Sequence, residues 1–388
     1  MMSKSYIYLT SKPCYHRLLN ILKIALLMIM GTSLFFSCSN DDSSDANGIE
    51  ASNPLTDAVK QIDHDMADLN FSELQPLGEA ANLKTRGSDD ESGVNKLVSE
   101  LVDLLHGEKT VTVGGRRFSY QTFNAALSLS FDLAGYLKSQ GTVSYTTNDG
   151  DLFTIAGTTE KDIYIKSWSI NIEKSSELTI YKNDVQVLSL KSLQERNRPV
   201  WLPLLIRGNT FTGELAYHDY IVTLGYDREH THQRSISLTY RKVGSDIPLI
   251  DMTTLLEDDA NILNLIKHDV TVEADFNVKA MGGLLTLTGH SSNVNELVQK
   301  VKAITSCLEE GADDEQSCQQ LANEFNDNLT LHLSLHDDEL GNLLMVPQYV
   351  TEKGCWMPKL MIDLPKYGGR IVVSDLFTSL GIELPIFY

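Results

Sequence analysis

The sequence predicts an α+β protein, a large curved antiparallel β-sheet of half-barrel or open-barrel type packed against a few helices. Three observations predict it. After residue 108, short runs alternate apolar with polar residues, the period of a strand with one dry and one wet face. Turn signals such as Asn148-Asp149-Gly150 and Lys182-Asn183-Asp184 separate these runs, so neighbours in sequence become neighbours in a meander. Helical periodicity is confined to a few stretches, which must cover the apolar face of the sheet.

The chain opens with a basic segment holding Lys4, Lys12, Arg17 and Lys23, followed by an uncharged, mostly apolar run from Ile24 to Phe36. That run is too short for an ordinary membrane span, which needs about 20 residues, but it suits the core of a secretory leader. It ends at Ser37-Cys38 and the chain turns abruptly polar and acidic, Ser39-Asn40-Asp41-Asp42-Ser43-Ser44-Asp45. A small residue and a cysteine at the end of such a core resemble the lipobox of bacterial lipoproteins. Phe35 and Phe36 depart from the usual Leu-Ala/Ser, a variant similar to that of Bacteroidota surface lipoproteins. The resemblance implies cleavage before Cys38, acyl chains (palmitate among them) on its thiol and new amino terminus, and stable anchoring by more than one chain. The acidic run after Cys38 resembles the export signal for the outer face of the outer membrane. The expected organisation is therefore a leader over 1–37, a lipidated flexible tether over 38–53, a helical segment over 54–107 and a β-rich domain over 108–388 with helical insertions at 255–266 and 294–326.

Leu55, Val59, Ile62, Met66 and Leu69 recur at helical spacing after Asn53-Pro54, and Phe71, Leu74 and Leu77 continue the pattern. Residues 86–93 hold no apolar side chain and break it. Val94, Leu97, Val98, Leu101, Leu104 and Leu105 form a further helix that Gly107 closes. From Thr110 the period is two. Strands are expected at Gly141–Tyr145, Leu152–Ala156, Ile163–Ile165, Trp168–Ile172, Leu178–Tyr181, Val185–Leu190, Glu214–Tyr226, Ser235–Tyr240, Val272–Lys279, Leu285–Leu287 and Leu329–Leu335. Leu255–Ile266 is expected to be helical. Val294–Leu308 and Glu315–Phe325 form an αα-hairpin split by Gly311-Ala312-Asp313-Asp314. Ser374–Gly381 is a short capped helix. The strand-rich pattern with helices on one side resembles the half-barrel of periplasmic lipoprotein carriers and related lipid-binding lipoproteins. That likeness is architectural, carried by no motif. It implies a cavity for an acyl chain lined by Val272, Phe276 and Leu329–Leu335.

Asp and Glu total 52 against 32 Lys and Arg, a net charge of -20. Four of the bases precede Cys38, so the chain from Cys38 onward carries -24. Nucleic acid would repel such a surface, and no basic stripe with interleaved aromatics offsets it. Beyond Cys38 the cysteines are Cys307, Cys318 and Cys355. Cys307 and Cys318 flank the proposed turn of the αα-hairpin symmetrically, which predicts a disulfide worth about 3 kcal/mol; Cys355 is read as a buried thiol. No Cys-x-x-Cys, phosphate loop, Gly-x-Ser-x-Gly elbow or His-Glu-x-x-His is present, so no catalytic residue, cofactor or metal is expected. His230 and His232, beside Asp227 and Glu229, form a weak metal candidate and read better as a solvated turn. His332 and His336 lie about 13 Å apart along one strand, too far to share an ion. The functional expectation is a non-catalytic, lipid-anchored envelope protein whose partners are the membrane, through Cys38, and a hydrophobic ligand or other envelope proteins. One alternative is a carbohydrate-binding or adhesion module using Trp168, Trp201, Trp356 and the Tyr217/Tyr220/Tyr226 group. The other is a hydrolase whose site has no recognisable motif.

Overall fold

The computed structural model describes residues 71–84, 92–106, 120–200, 208–228, 232–259, 270–312, 314–351, 353–365 and 369–373. The leader, Cys38, the tether and the expected helices at 54–69 and 374–381 lie outside them. The chain divides into two compact units, one of His64–Leu255 with Lys279–Gly282, the other of Met1–Asp63, Leu256–Val278 and Gly283–Tyr388.

The His64–Leu255 unit begins with a 3₁₀ turn at Phe71–Leu74, followed by helices α1 (Gln75–Lys84), α2 (Ser92–His106) and α3 (Tyr120–Gln140). Its strands are β1 (Val143–Thr146), β2 (Leu152–Lys166), β3 (Ser169–Lys182), β4 (Val185–Pro199), β5 (Gly208–Tyr217), β6 (Tyr220–Arg228), β7 (Gln233–Lys242) and β8 (Ile250–Asp258). They form an antiparallel meander whose strand order is the chain order. Tight turns explain the meander. Ser167-Trp168 and Asn183-Asp184 both take positive φ at consecutive residues, the conformation that matches strand twist in two-residue hairpins. The dry face of the sheet lies under the helices. Phe153, Leu178, Leu190, Leu127, Leu133 and Leu137 are all 2% exposed or less, so side chains fill the layer between α3 and the strands.

In the other unit, strands β9 (Val272–Ala280) and β10 (Leu285–Ser291) precede helices α4 (Val294–Glu310) and α5 (Glu315–Asn328), then β11 (Leu329–Leu335), β12 (Asp338–Val350), β13 (Cys355–Leu364) and β14 (Gly369–Val372). Again strand order is chain order, and every pairing is antiparallel. Asn293 caps α4 by accepting from the Glu296 N–H, and Asp314 caps α5 by accepting from the Ser317 N–H. Past the last β11–β12 pair, His332–Asn342, Asn326 on α5 closes the edge of β12: its carboxamide donates to the Met345 carbonyl and accepts from the Met345 N–H.

Three expectations need correction. Residues 120–140, assigned to the β-rich stretch, are a helix. Phe123, Ala126, Leu127, Ser130, Leu133, Ala134 and Leu137 are all buried, which is the 3.6 period of a helix, and Ser128 and Ser130 disguise it. Leu255–Asp258 belongs to β8 rather than a helix; Met252, Thr254 and Leu256 alternate inward. Glu214–Tyr226 is a hairpin, not one strand, because the chain reverses at His218-Asp219 with His218 at φ 49°.

Candidate functional site

Register assigns each strand residue of the β1–β8 sheet to a face. Leu178, Leu190, Leu215, Val222 and Tyr240 align across β3 to β7 on the dry face. Helix α3 crosses this face where glycine permits close approach. A Cβ on Gly157 would stand 2.8 Å from the Ala134 Cα, and one on Gly213 would collide with the Leu127 side chain.

Further along the strands the same face changes character. Ile163 faces Ile172, and Ile165 faces Ile170, across β2 and β3. On β4, Arg196 faces Ile172 and Arg198 faces Ile170. Asn209 faces Arg196, and Arg228 faces Asn209. The β6–β7 ladder ends at Asp227 opposite Ser235, one step short of Arg228 and Arg234. In this window the face carries Lys161, Lys174, Arg196, Arg198, Arg228 and Arg234 and, among the described residues, no carboxylate. The opposite face of the same window carries Asp162, Glu173, Glu195 and Asp227, with Lys166 at the β2–β3 turn as its one cation among the described residues. Charge is thus unequal between the two faces of one sheet, in a chain that is acidic as a whole.

Placing like charges side by side across strands is unfavourable, and such a local departure from good design is characteristic of functional sites. The four arginines are half-buried and their Nε atoms are shielded from water. Their forks suit a carboxylate or phosphate. Beside them Ile163 is 60% and Ile165 71% exposed, and Trp168 at the β2–β3 turn is 81% exposed. Arginine next to solvent-facing isoleucine offers a surface for a molecule with an anionic head and an apolar tail.

A second polar cluster joins hairpin turns to the N-terminal 3₁₀ turn of the same unit. Glu73 contacts the His218 imidazole at 2.6 Å and the Lys182 ammonium at 3.5 Å; Lys182 also contacts Asp151 at 3.0 Å. Asn183 donates to Asp151, and this bond together with Lys182 lowers the Asp151 pKa. Tyr217, packed on Phe71 at 4.6 Å between ring centres, has its pKa raised chiefly by burial. This cluster ties Phe71–Leu74 to the sheet edge. Asp275 and His290, 2.9 Å apart in the other unit, lie on an open, wet strand face, where water weakens the electrostatics that catalysis uses.

The expected site residues fall as follows. Cys307 and Cys318 face each other across the α4–α5 turn with their thiols in hydrogen-bond contact, as free thiols. Burial pushes the Cys318 thiol up to about 12. Cys355 is half-buried beside them, its Sγ against the Gly311 Cα so closely that a Cβ there would collide. His230 lies outside the described residues, His232 is exposed, and among the described residues no three His, Cys, Asp or Glu groups could hold a metal ion. His332 bonds Asn342 at 2.6 Å, and His336 sits in the β11–β12 turn at φ 49°. Trp356 is half-buried edge-on to Tyr349, Tyr217 and Tyr220 are buried, and Trp201 is outside the described residues. Phe276, Leu329, Leu331, Leu333 and Leu335 are at most 9% exposed.

Compared with protein-family models, curated proteins and solved structures, the chain has no match. The arginine row was missed in the sequence although a signal was present: in Glu195-Arg196-Asn197-Arg198 the period of two puts both cations on one face and the acid on the other.

Proposed function

We propose that the chain is a non-catalytic, lipid-anchored protein of the bacterial cell surface, tethered through Cys38, that binds single anionic amphiphiles on the Ile–Arg face of β2 to β7. Such a ligand has an acyl chain and a carboxylate or phosphate. The observation that carries this reading is the unequal charge of the two faces, with six cations and no acid beside four isoleucines on one face, and four acids against the single cation Lys166 on the other, among the described residues. The acyl chain lies on Ile163, Ile165, Ile170 and Ile172, gaining about 25 cal/mol per Å² of apolar surface covered. The head group sits one strand away, roughly 5 Å, on Arg196 and Arg198. This surface site is distinct from the interior cavity expected from the sequence at Val272, Phe276 and Leu329–Leu335; in its own unit the layer between α3 and the strands is filled. The charge of -24 from Cys38 onward repels a flat anionic bilayer, which favours free amphiphiles over membrane-embedded ones.

The test is titration of the chain lacking its leader, with Cys38→Ser, against dodecanoate and dodecyl phosphate below their micelle concentrations. Dodecyltrimethylammonium and vesicles of phosphatidylcholine with phosphatidylglycerol serve as contrasts. Saturable binding of the two anionic amphiphiles, with neither the cation nor the vesicles competing, is expected. Binding of none of them, or equal binding of the cation, overturns the reading.

A further inference from the structure

We propose that Cys307, Cys318 and Cys355 form an exchangeable thiol–disulfide site, which enters oxidation through Cys307, rests as a Cys307–Cys318 disulfide and reopens through Cys355. Three independent placements bring the sulfurs together. Cys307 lies in the last turn of α4, where its carbonyl accepts the Gly311 N–H at 2.8 Å. Cys318 lies in the first turn of α5, which the Asp314 cap fixes at the hairpin turn. Cys355 begins β13, and the neighbouring Trp356 exchanges backbone hydrogen bonds with Ala312 of the same turn at 2.8 and 3.2 Å. Gly311, with φ 79°, leaves the space that the Cys355 sulfur fills.

Access sets the order of events. Cys318 is fully buried, whereas Cys307 and Cys355 are half-buried and reachable. An incoming disulfide RSSR, a small molecule or a protein, is attacked by the Cys307 thiolate, forming a Cys307–SR mixed disulfide and releasing RS⁻. The Cys318 thiolate then attacks the Cys307 sulfur, forming Cys307–Cys318 and releasing the second RS⁻. Two cysteine thiols have lost two protons and two electrons, and RSSR has become two thiols. Attack by Cys355 on Cys307 frees Cys318 with no net oxidation. Burial opposes the thiolate form of Cys318 and of Cys307, so the exchange is slow at neutral pH and quickens as pH rises.

The experiment treats the chain lacking its leader, with Cys38→Ser, with oxidised glutathione, traps free thiols by alkylation and maps disulfides by mass spectrometry. Expected are one Cys307–Cys318 disulfide and an alkylated Cys355. Cys318→Ser should shift the disulfide to Cys307–Cys355, and Cys355→Ser should leave Cys307–Cys318 intact. Should Cys318→Ser fail to fold, as circular dichroism would show, the oxidised wild type decides: held at alkaline pH it should develop some Cys307–Cys355 isomer, and prior alkylation of Cys355 should abolish it. Three free thiols after oxidation, or no Cys307–Cys355 form under either condition, overturns the proposal.

Discussion

Replacing Gly157 by alanine tests how tightly α3 is seated on the sheet. The new Cβ would lie 2.8 Å from the Ala134 Cα and 3.0 Å from its Cβ. Unstrained carbon contacts are about 3.5–4.0 Å, so helix and strand must separate by roughly 0.7–1 Å. Overpacking of this kind costs about 1–3 kcal/mol. Loss of the glycine's freedom in the unfolded chain offsets about 0.4–1 kcal/mol; for a contact this short the overpacking cost lies in the upper half of its range, about 2–3 kcal/mol, leaving a net destabilisation of about 1–2.5 kcal/mol. At about 2–4 °C per kcal/mol for a unit of this size, the melting temperature should fall by about 2–10 °C. A Cβ added to Gly135, on the outward side of the same helix, would have nothing within 4 Å. Gly135→Ala should therefore stabilise by about 1 kcal/mol through helix propensity alone. Scanning calorimetry and urea titration of both variants make the comparison. A Gly157→Ala protein as stable as wild type, or a Gly135→Ala protein that is less stable, would refute the tight seating of α3.

Tyr145 is fully buried and donates to the Asn95 carboxamide oxygen at 2.8 Å. Tyr145→Phe should cost about 1–3 kcal/mol in urea unfolding, more than its hydroxyl's net hydrogen bond, because Asn95 loses a buried donor. Asp314 has its pKa lowered first by the Ser317 N–H and then by the Ser317 hydroxyl. Its folded pKa lies below the unfolded one, so its contribution is complete above the ordinary carboxylate range and is lost as pH falls through the folded value. Asp314→Asn still caps the helix but does not titrate, so the stability gap between wild type and variant should close under acid; a constant gap in urea midpoints across the acid range would contradict the assignment.

The hairpin meander was legible because its turn chemistry and its alternation agree, as at Lys182-Asn183-Asp184 between β3 and β4. The αα-hairpin was legible for the same reason: Val294, Leu297, Val298 and Ile304 share a face, and a polar turn separates the helices. Helix α3 was not legible, since its buried stripe includes Ser130, whose hydroxyl donates to the Leu127 carbonyl within its own helix. Strands β12 to β14 were missed because residues such as Pro347 and Pro358, which face each other across β12 and β13, break the usual strand signature. The arginine row needs four strands in register before it exists at all. Arg196 and Arg228 are 32 positions apart in sequence, and only the β4–β5–β6 ladder aligns them through Asn209.

The most direct test of amphiphile binding on the Ile–Arg face is the affinity of dodecanoate for wild type and for Arg196→Gln, Arg198→Gln and Ile163→Ser, each measured by isothermal calorimetry at matched stability. The arginine variants should weaken binding about 10- to 100-fold each, the range of a lost charge-assisted hydrogen bond of about 1.5–3 kcal/mol. The weakening should vanish for a dodecyl ligand with a neutral head, while Ile163→Ser should weaken both ligands alike. Affinities that are unchanged in all three variants, or arginine effects that persist with the neutral ligand, would contradict binding at this face.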